Sequence, residues 1–208
     1  MKVRKGVVAR IFAYATAVAL LLQLLLFMVS WLIEAAMPEN TVHSLLGSEG
    51  IRWFAGSFSN NVASPVLAWI LVLAMAWGAM AKSEILKAVR SIGKPLVYRQ
   101  RFAMRVVLVE LVVMAFAFVM LAVVPNAPLR SVTGQLFPSS FSRSIIPMLA
   151  LAATVSSATF GLLSGAMRNV GDVFASLSHG VKRASSLLVF YVVASQLIQS
   201  IIYVFQLN

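Results

Sequence analysis

The run 11–33, IFAYATAVALLLQLLLFMVSWLI, carries 23 residues without one charge. At about 1.5 Å of rise per residue, some 20 helical residues cross the roughly 30 Å hydrocarbon core of a bilayer. Four more stretches of similar length and apolarity follow, at 62–81, 106–125, 144–163 and 185–205, with Glu110 their one charged residue. Across all 208 residues 61% are apolar, and the mean hydropathy is +0.92. A soluble domain of this size has no use for five such runs. The composition therefore predicts an all-α, polytopic membrane protein, a single membrane domain over 1–208 with five transmembrane helices.

The basic residues predict its orientation. Lys2, Arg4, Lys5 and Arg10 precede the first span. Lys82, Lys87, Arg90, Lys94, Arg99, Arg101 and Arg105 follow the second, and Arg168, Lys182 and Arg183 follow the fourth. Fourteen of the 17 Lys and Arg thus fall on one side, leaving Arg52, Arg130 and Arg143 on the other. Short cytoplasmic loops are enriched in Lys and Arg, so the N-terminus is expected in the cytoplasm and the C-terminus in the periplasm of a bacterial inner membrane. The net charge of +11 is then a topology signal that also draws anionic headgroups of the lipid bilayer, and no nucleic-acid partner is expected. The first span follows a basic stretch like that of a signal peptide. It is too long and lacks a small-x-small cleavage site, so it reads as a retained anchor.

Several chemistries are missing. The chain has no cysteine, which removes disulfides and thiolate sites. His43 and His179 are its two histidines, and no HExxH, GxSxG, Walker loop or acidic pair with metal spacing occurs. No enzyme activity, metal or cofactor is expected.

The loops carry weaker signals. Between Met37 and Asn61, Leu45, Leu46, Ile51, Trp53, Phe54 and Phe58 mix with Ser44, Gly47, Ser48 and Glu49, predicting a short helix at the membrane surface with Trp53 and Phe54 at headgroup level. Interfacial anchoring is the first reading and a periplasmic ligand platform the second. The second span is expected to continue as helix through Arg90 and to break at Gly93-Lys94-Pro95. The second outer loop, Asn126–Arg143, is rich in Pro, Ser and Arg. Pro65 falls at a span entrance and Pro147 in the first turn of its helix, where proline is tolerated.

Within the membrane three features are not simply greasy. Ala153, Ser157, Gly161 and Gly165 recur every four residues on the fourth span. A ridge of small side chains lets helix backbones approach where lipid supplies no hydrophobic drive, so it is read as a packing face or dimer seam, with Ala74 and Gly78 a shorter version. Gln196, Gln199, Ser200 and Tyr203 fall within an arc of about 100° at 100° per residue, one polar stripe on the fifth span. Amides in hydrocarbon need partners, so the stripe is a set of interhelical hydrogen bonds or a polar pathway. Glu110 is either a coupling carboxylate or a structural residue paired with Arg10 or Lys82. Arg105, five residues away, lies about 140° round the helix and is poorly placed.

Two segments resemble the aminobenzoyl-glutamate (AbgT-type) transporter family. The first is Ser44-Leu45-Leu46-Gly47-Ser48-Glu49-Gly50-Ile51-Arg52-Trp53-Phe54, similar to a family "LLSxEGIRWF" segment. In the family a proline leads from there into a Gly-rich helix that ends in a Lys/Arg-Ser pair, and Pro65, Gly78 and Lys82-Ser83 echo that helix. The second segment comprises Leu129-Arg130, Gly134, Phe141, Ser144-Ile145-Ile146-Pro147, Gly161, Gly165, Asp172-Val173, Tyr191-Val192-Val193 and Ser195-Gln196. Together they cover about half the chain. The resemblance implies an inner-membrane carrier for an organic anion such as p-aminobenzoyl-glutamate. The chain looks like a shortened, divergent member: it lacks the family's central region and binding hairpins, and the family's Trp after the matched Gln196 has at best Tyr203 in its place. Five spans form no inverted repeat, and none shows a central break of the kind carriers use at their binding sites. The expected roles are therefore two. One is a reduced transport protein with its path between protomers of a homo-oligomer; the other is a non-transporting scaffold or accessory subunit of a larger membrane partner.

Overall fold

A computed structural model describes residues 2–37, 42–91, 97–123 and 140–207. The expected break at Gly93-Lys94-Pro95 and the second outer loop as far as residue 139 lie outside them. Eight helices are described: α1 (Lys2–Ala36), α2 (Ser48–Gly56), α3 (Phe58–Val62), α4 (Pro65–Ser83), α5 (Ile85–Arg90), α6 (Tyr98–Val123), α7 (Ser140–Ser164) and α8 (Val170–Phe205). Five of them, α1, α4, α6, α7 and α8, are long and apolar enough to cross a membrane. All-helical architecture with five candidate spans is what the apolar runs predict, and the chain is a multi-pass membrane protein.

The helix ends differ from the apolar runs because charge stops a span without stopping a helix. α6 begins at Tyr98 rather than 106, so Arg99, Arg101 and Arg105 ride on helix. α8 runs unbroken over 36 residues, about 54 Å at 1.5 Å per residue, and its first turns hold the Lys182 and Arg183 that read as loop. Asn169 caps it: its Oδ1 accepts the Asp172 N–H at 2.8 Å, while Asp172 Oδ2 accepts the Arg168 N–H at 2.9 Å. This reciprocal arrangement satisfies amides that a helix start leaves unpaired. α4 does not continue to Arg90. It ends at Ser83, and Glu84 adopts the left-handed φ of 62° before α5 begins. α7 starts at Ser140, so Pro147 is not in its first turn but inside the helix, where it has no N–H for the Arg143 carbonyl.

The chain divides into two compact units, Met1–Ala68 with Ser185–Asn208, and Trp69–Ala184. In the first, α1 and the last turns of α8 run parallel. Phe12 and Phe190 rings lie 5.7 Å apart, and eleven residues further along α1 the Gln23 Nε2 donates to Ser200 Oγ at 3.1 Å. The first and fifth spans of a five-span chain must point the same way, as these do. The segment before α2 folds back onto both helices: Leu45 N–H donates to Ser30 Oγ at 3.2 Å, and His43 N–H to the Val204 carbonyl at 3.1 Å. Gly50 allows this, since a Cβ there would lie 2.6 Å from Leu45 Cα. α4 begins with Pro65 behind Ser64, whose Oγ accepts the Val66 N–H at 3.2 Å.

In the second unit α6 and α7 pack against each other. Ile85 and Ala88 of α5 join Ala103 and Val107 of α6 and Phe160 of α7 in one buried cluster. α4 and α8 meet backbone to backbone: a Cβ on Gly180 would lie 2.9 Å from Gly78 Cα and closer still to the Ala74 carbonyl oxygen, and one on Gly78 would lie 2.7 Å from Gly180 N. Small residues permit such an approach. Leu108, Val112 and Phe116 of α6 are each more than 60% exposed, the surface a lipid-facing helix presents.

Candidate functional site

The polar stripe of α8 lies in the first unit, and the structure gives its four residues two settings. Gln196 and Ser200 are buried. Ser200 Oγ donates to the Gln196 carbonyl at 2.8 Å and accepts from Gln23. Gln196 Oε1 accepts from Asn61 Nδ2 at 3.2 Å. Next to Gln196, Ser195 Oγ donates to the Asn61 carbonyl at 2.6 Å. Tyr191 Oη donates to the Val62 carbonyl at 3.1 Å and also bonds Ser64 Oγ. The turn from α3 into α4 is thereby strapped to α8. Two amide atoms in this network, Gln23 Oε1 and Gln196 Nε2, are buried with no hydrogen-bond partner among the described residues. A buried amide group left unpaired costs about 1–3 kcal/mol, so each is a place where a polar guest is welcome.

Gln199 and Tyr203, by contrast, line a cavity of about 360 Å³ together with His43, Trp53, Asn61, Ile202 and Gln206. That volume lies at the small end of the range for ligand sites. Its wall is flat: the Trp53 and Tyr203 rings stack 4.2 Å apart at 13°, with His43 5.5 Å from Tyr203. Gln206 Nε2 and His43 Nδ1 lie 2.8 Å apart, which fixes the imidazole. The cavity combines aromatic surface with uncharged amide donors and acceptors, and among the described residues no Lys, Arg, Asp or Glu lines it. Such a lining suits a planar, uncharged moiety. Asn61 belongs to both settings, on the cavity wall and against Gln196.

The remaining sequence candidates lie in the second unit. Ala153 is half-buried, Ser157 and Gly161 are buried, and Gly165 is exposed. A Cβ on Gly161 would meet the Met167 side chain at 2.7 Å, and one on Gly165 the Arg99 guanidinium at 3.2 Å. Gly165 lies past the end of α7 with a φ of 84° and turns the chain so that Met167 N–H reaches the Gly161 carbonyl at 2.8 Å. Gly78 faces Ser176 and Gly180 of α8. Glu110 is half-buried on α6, and its Oε2 is buried with no hydrogen-bond partner among the described residues; it forms no ion pair with Lys82. Among the described residues no group of three or more His, Asp or Glu could hold a metal ion.

Sequence reasoning missed Gln23, Asn61, Tyr191 and Ser195. Gln23 had a signal, as the one amide in an otherwise apolar first span. Asn61 had none, because its partners lie more than 130 residues away in the chain.

The chain is thus a multi-pass helical membrane protein with an aromatic and amide cavity at a helix end. The family is specific: the chain belongs to the AbgT putative transporter family, whose model matches residues 76–204, 129 of the 208 residues. The match covers α5 to α7 and nearly all of α8, but His43, Trp53 and Asn61 of the cavity fall before it. No curated protein and no solved structure matches the chain.

Proposed function

We propose that the chain is a reduced AbgT-type transport protein of the bacterial inner membrane, N-terminus inside, moving an organic anion such as p-aminobenzoyl-glutamate rather than catalysing a reaction. The observation that carries this is the cavity walled by Trp53 and Tyr203. Its flat, uncharged lining suits the arylamide part of such a solute and leaves the carboxylates to be met elsewhere, at a protomer boundary of a homo-oligomer. Uptake of radiolabelled p-aminobenzoyl-glutamate into proteoliposomes tests it. Trp53→Ala and Tyr203→Ala are each expected to lower initial rates at least tenfold while the protein keeps its helicity, since a buried aromatic contact is worth about 1.5–3 kcal/mol. Unchanged rates, or no uptake by the wild-type chain, refute the reading.

A second reading, an accessory frame for a larger membrane partner, is favoured by the backbone contact of Gly78 with Gly180 and by the unbroken course of α6 and α8. The mass of the complex gently extracted from native membranes separates the two. A homo-oligomer favours transport, and a stoichiometric second polypeptide favours the frame.

A further inference from the structure

Two more buried atoms have no hydrogen-bond partner among the described residues: Glu110 Oε2 on α6 and Ser156 Oγ on α7. The two helices are antiparallel, with Phe118 stacked on Phe141 at 5.2 Å near one end and Val107 sharing a cluster with Phe160 further along. Glu110 lies three residues beyond Val107, about 4.5 Å along the axis, and Ser156 lies four residues before Phe160, about 6 Å. They therefore stand at nearly the same level. They also share a side. At 100° per residue Ala103, Val107 and Glu110 fall within about 60°, as do Ser156, Phe160 and Leu163. Ala103, Val107 and Phe160 belong to the buried cluster and Leu163 packs against it, so Glu110 and Ser156 extend its facing stripes.

Neither residue follows its ordinary habit. Ser144, Thr154, Ser164, Ser176 and Ser200 each give their hydroxyl to a carbonyl of the preceding turn; Ser156 does not. The facing helix offers Glu110 no countercharge, for no charged residue occurs between Arg143 and Arg168. On its own helix Arg105 lies about 140° round. At neighbouring α5 Glu84 and Lys87 pair with each other, and Arg90 is exposed, about 140–160° round the helix from the buried Ile85 and Ala88. A carboxylate oxygen shut away from water without a cation is costly in a membrane and marks a functional position. The missing element is a small positive charge with a taste for oxygen.

We propose that Glu110 and Ser156 form a site for a small hard monocation of the sodium type, held between carboxylate and hydroxyl oxygens in the α6–α7 seam. Hard cations take oxygen ligands, and one monocation neutralises the half-buried carboxylate at its buried oxygen while engaging the idle hydroxyl. The proposal rests on the transport reading only in making this the coupling ion; occupancy of the site does not require that the organic anion be moved.

The test reads the site without transport. The full-length protein in detergent is treated with a hydrophobic carbodiimide, which modifies carboxyl groups in apolar surroundings, and adduct formation at Glu110 is followed by peptide mass. Sodium or lithium chloride, against choline chloride at equal ionic strength, is expected to slow Glu110 labelling at least tenfold. Ser156→Ala is expected to abolish that protection, Ser156→Thr to keep it, and Ser157→Ala to leave it unchanged. Labelling that is the same in sodium, lithium and choline overturns the proposal. So does protection that survives Ser156→Ala. Since anion uptake is absent from this assay, failure of the cation site and failure of the transport reading are told apart.

Discussion

Replacing Gly180 with Ala places one methyl group where α4 and α8 touch by backbone. The new Cβ would lie 2.9 Å from Gly78 Cα and Ala74 C, and closer to the Ala74 oxygen. Ordinary carbon contacts begin near 3.5 Å, so the helices must part locally by about 1 Å. No flexible side chain stands in the way that could swing aside. Overpacking costs about 1–3 kcal/mol, and contact with rigid backbone at several atoms argues for the upper end. Ala in place of Gly returns about 1 kcal/mol of helix propensity. The net loss is about 2 kcal/mol, some 30-fold in the unfolding equilibrium. Unfolding by dodecyl sulfate in mixed micelles, followed by circular dichroism, measures it. Gly56→Ala is the control, because a Cβ there meets nothing within 4 Å, and it is expected to be neutral or slightly stabilising. If Gly180→Ala is as stable as the wild type, the close approach of α4 and α8 is wrong.

Other substitutions test single contacts, read in the same unfolding assay. Tyr191→Phe strips the hydroxyl that holds the Val62 carbonyl and Ser64 and is expected to cost about 1–2 kcal/mol; no measurable change would remove the strap from α3 to α8. Gly165→Ala forces a side chain to a φ of 84° and should cost about 1–2 kcal/mol, so a neutral result counts against the turn after α7. Glu84→Gly relieves a left-handed residue while breaking an exposed ion pair with Lys87 worth at most about 1 kcal/mol. It should leave stability unchanged or improved, and a loss above about 1 kcal/mol would contradict the break between α4 and α5. Gln196→Leu removes one hydrogen bond but also an unpaired amide nitrogen, so its cost should stay below about 1 kcal/mol, whereas a larger loss would mean the nitrogen has a partner.

The five spans were legible because a bilayer demands about 20 apolar residues and little else demands them. Helix ends were not, since hydropathy reports where a chain leaves the hydrocarbon, not where its hydrogen-bond ladder stops. Lys182 and Arg183 concealed the first half of α8 in this way, and with it Gly180, the partner that Ala74 and Gly78 required. A cap signal, Asn169 with Asp172 three residues on, was available to reveal that start. The polar stripe was readable from spacing, but its division into a buried pair and a cavity-lining pair depends on Gln23 and Asn61, which only the tertiary fold brings near. Glu110 stood out by charge alone. Ser156 did not, because a serine in a membrane helix normally bonds its own backbone, and its idleness is visible only in three dimensions.

The division of the chain into Met1–Ala68 with Ser185–Asn208, and Trp69–Ala184, has a consequence for biogenesis. The second unit is contiguous, and all its contacts can form as soon as Ala184 has been synthesised. The first is assembled from two ends of the chain, and Gln23 meets Ser200 across a separation of 177 residues. At about 5–20 residues per second of synthesis, α1 waits roughly 10–35 s in the bilayer with its amide side chain uncommitted. During that interval an insertion chaperone, or the α1 of another nascent chain, can hold the Gln23 amide, and Ser200 must displace whatever does.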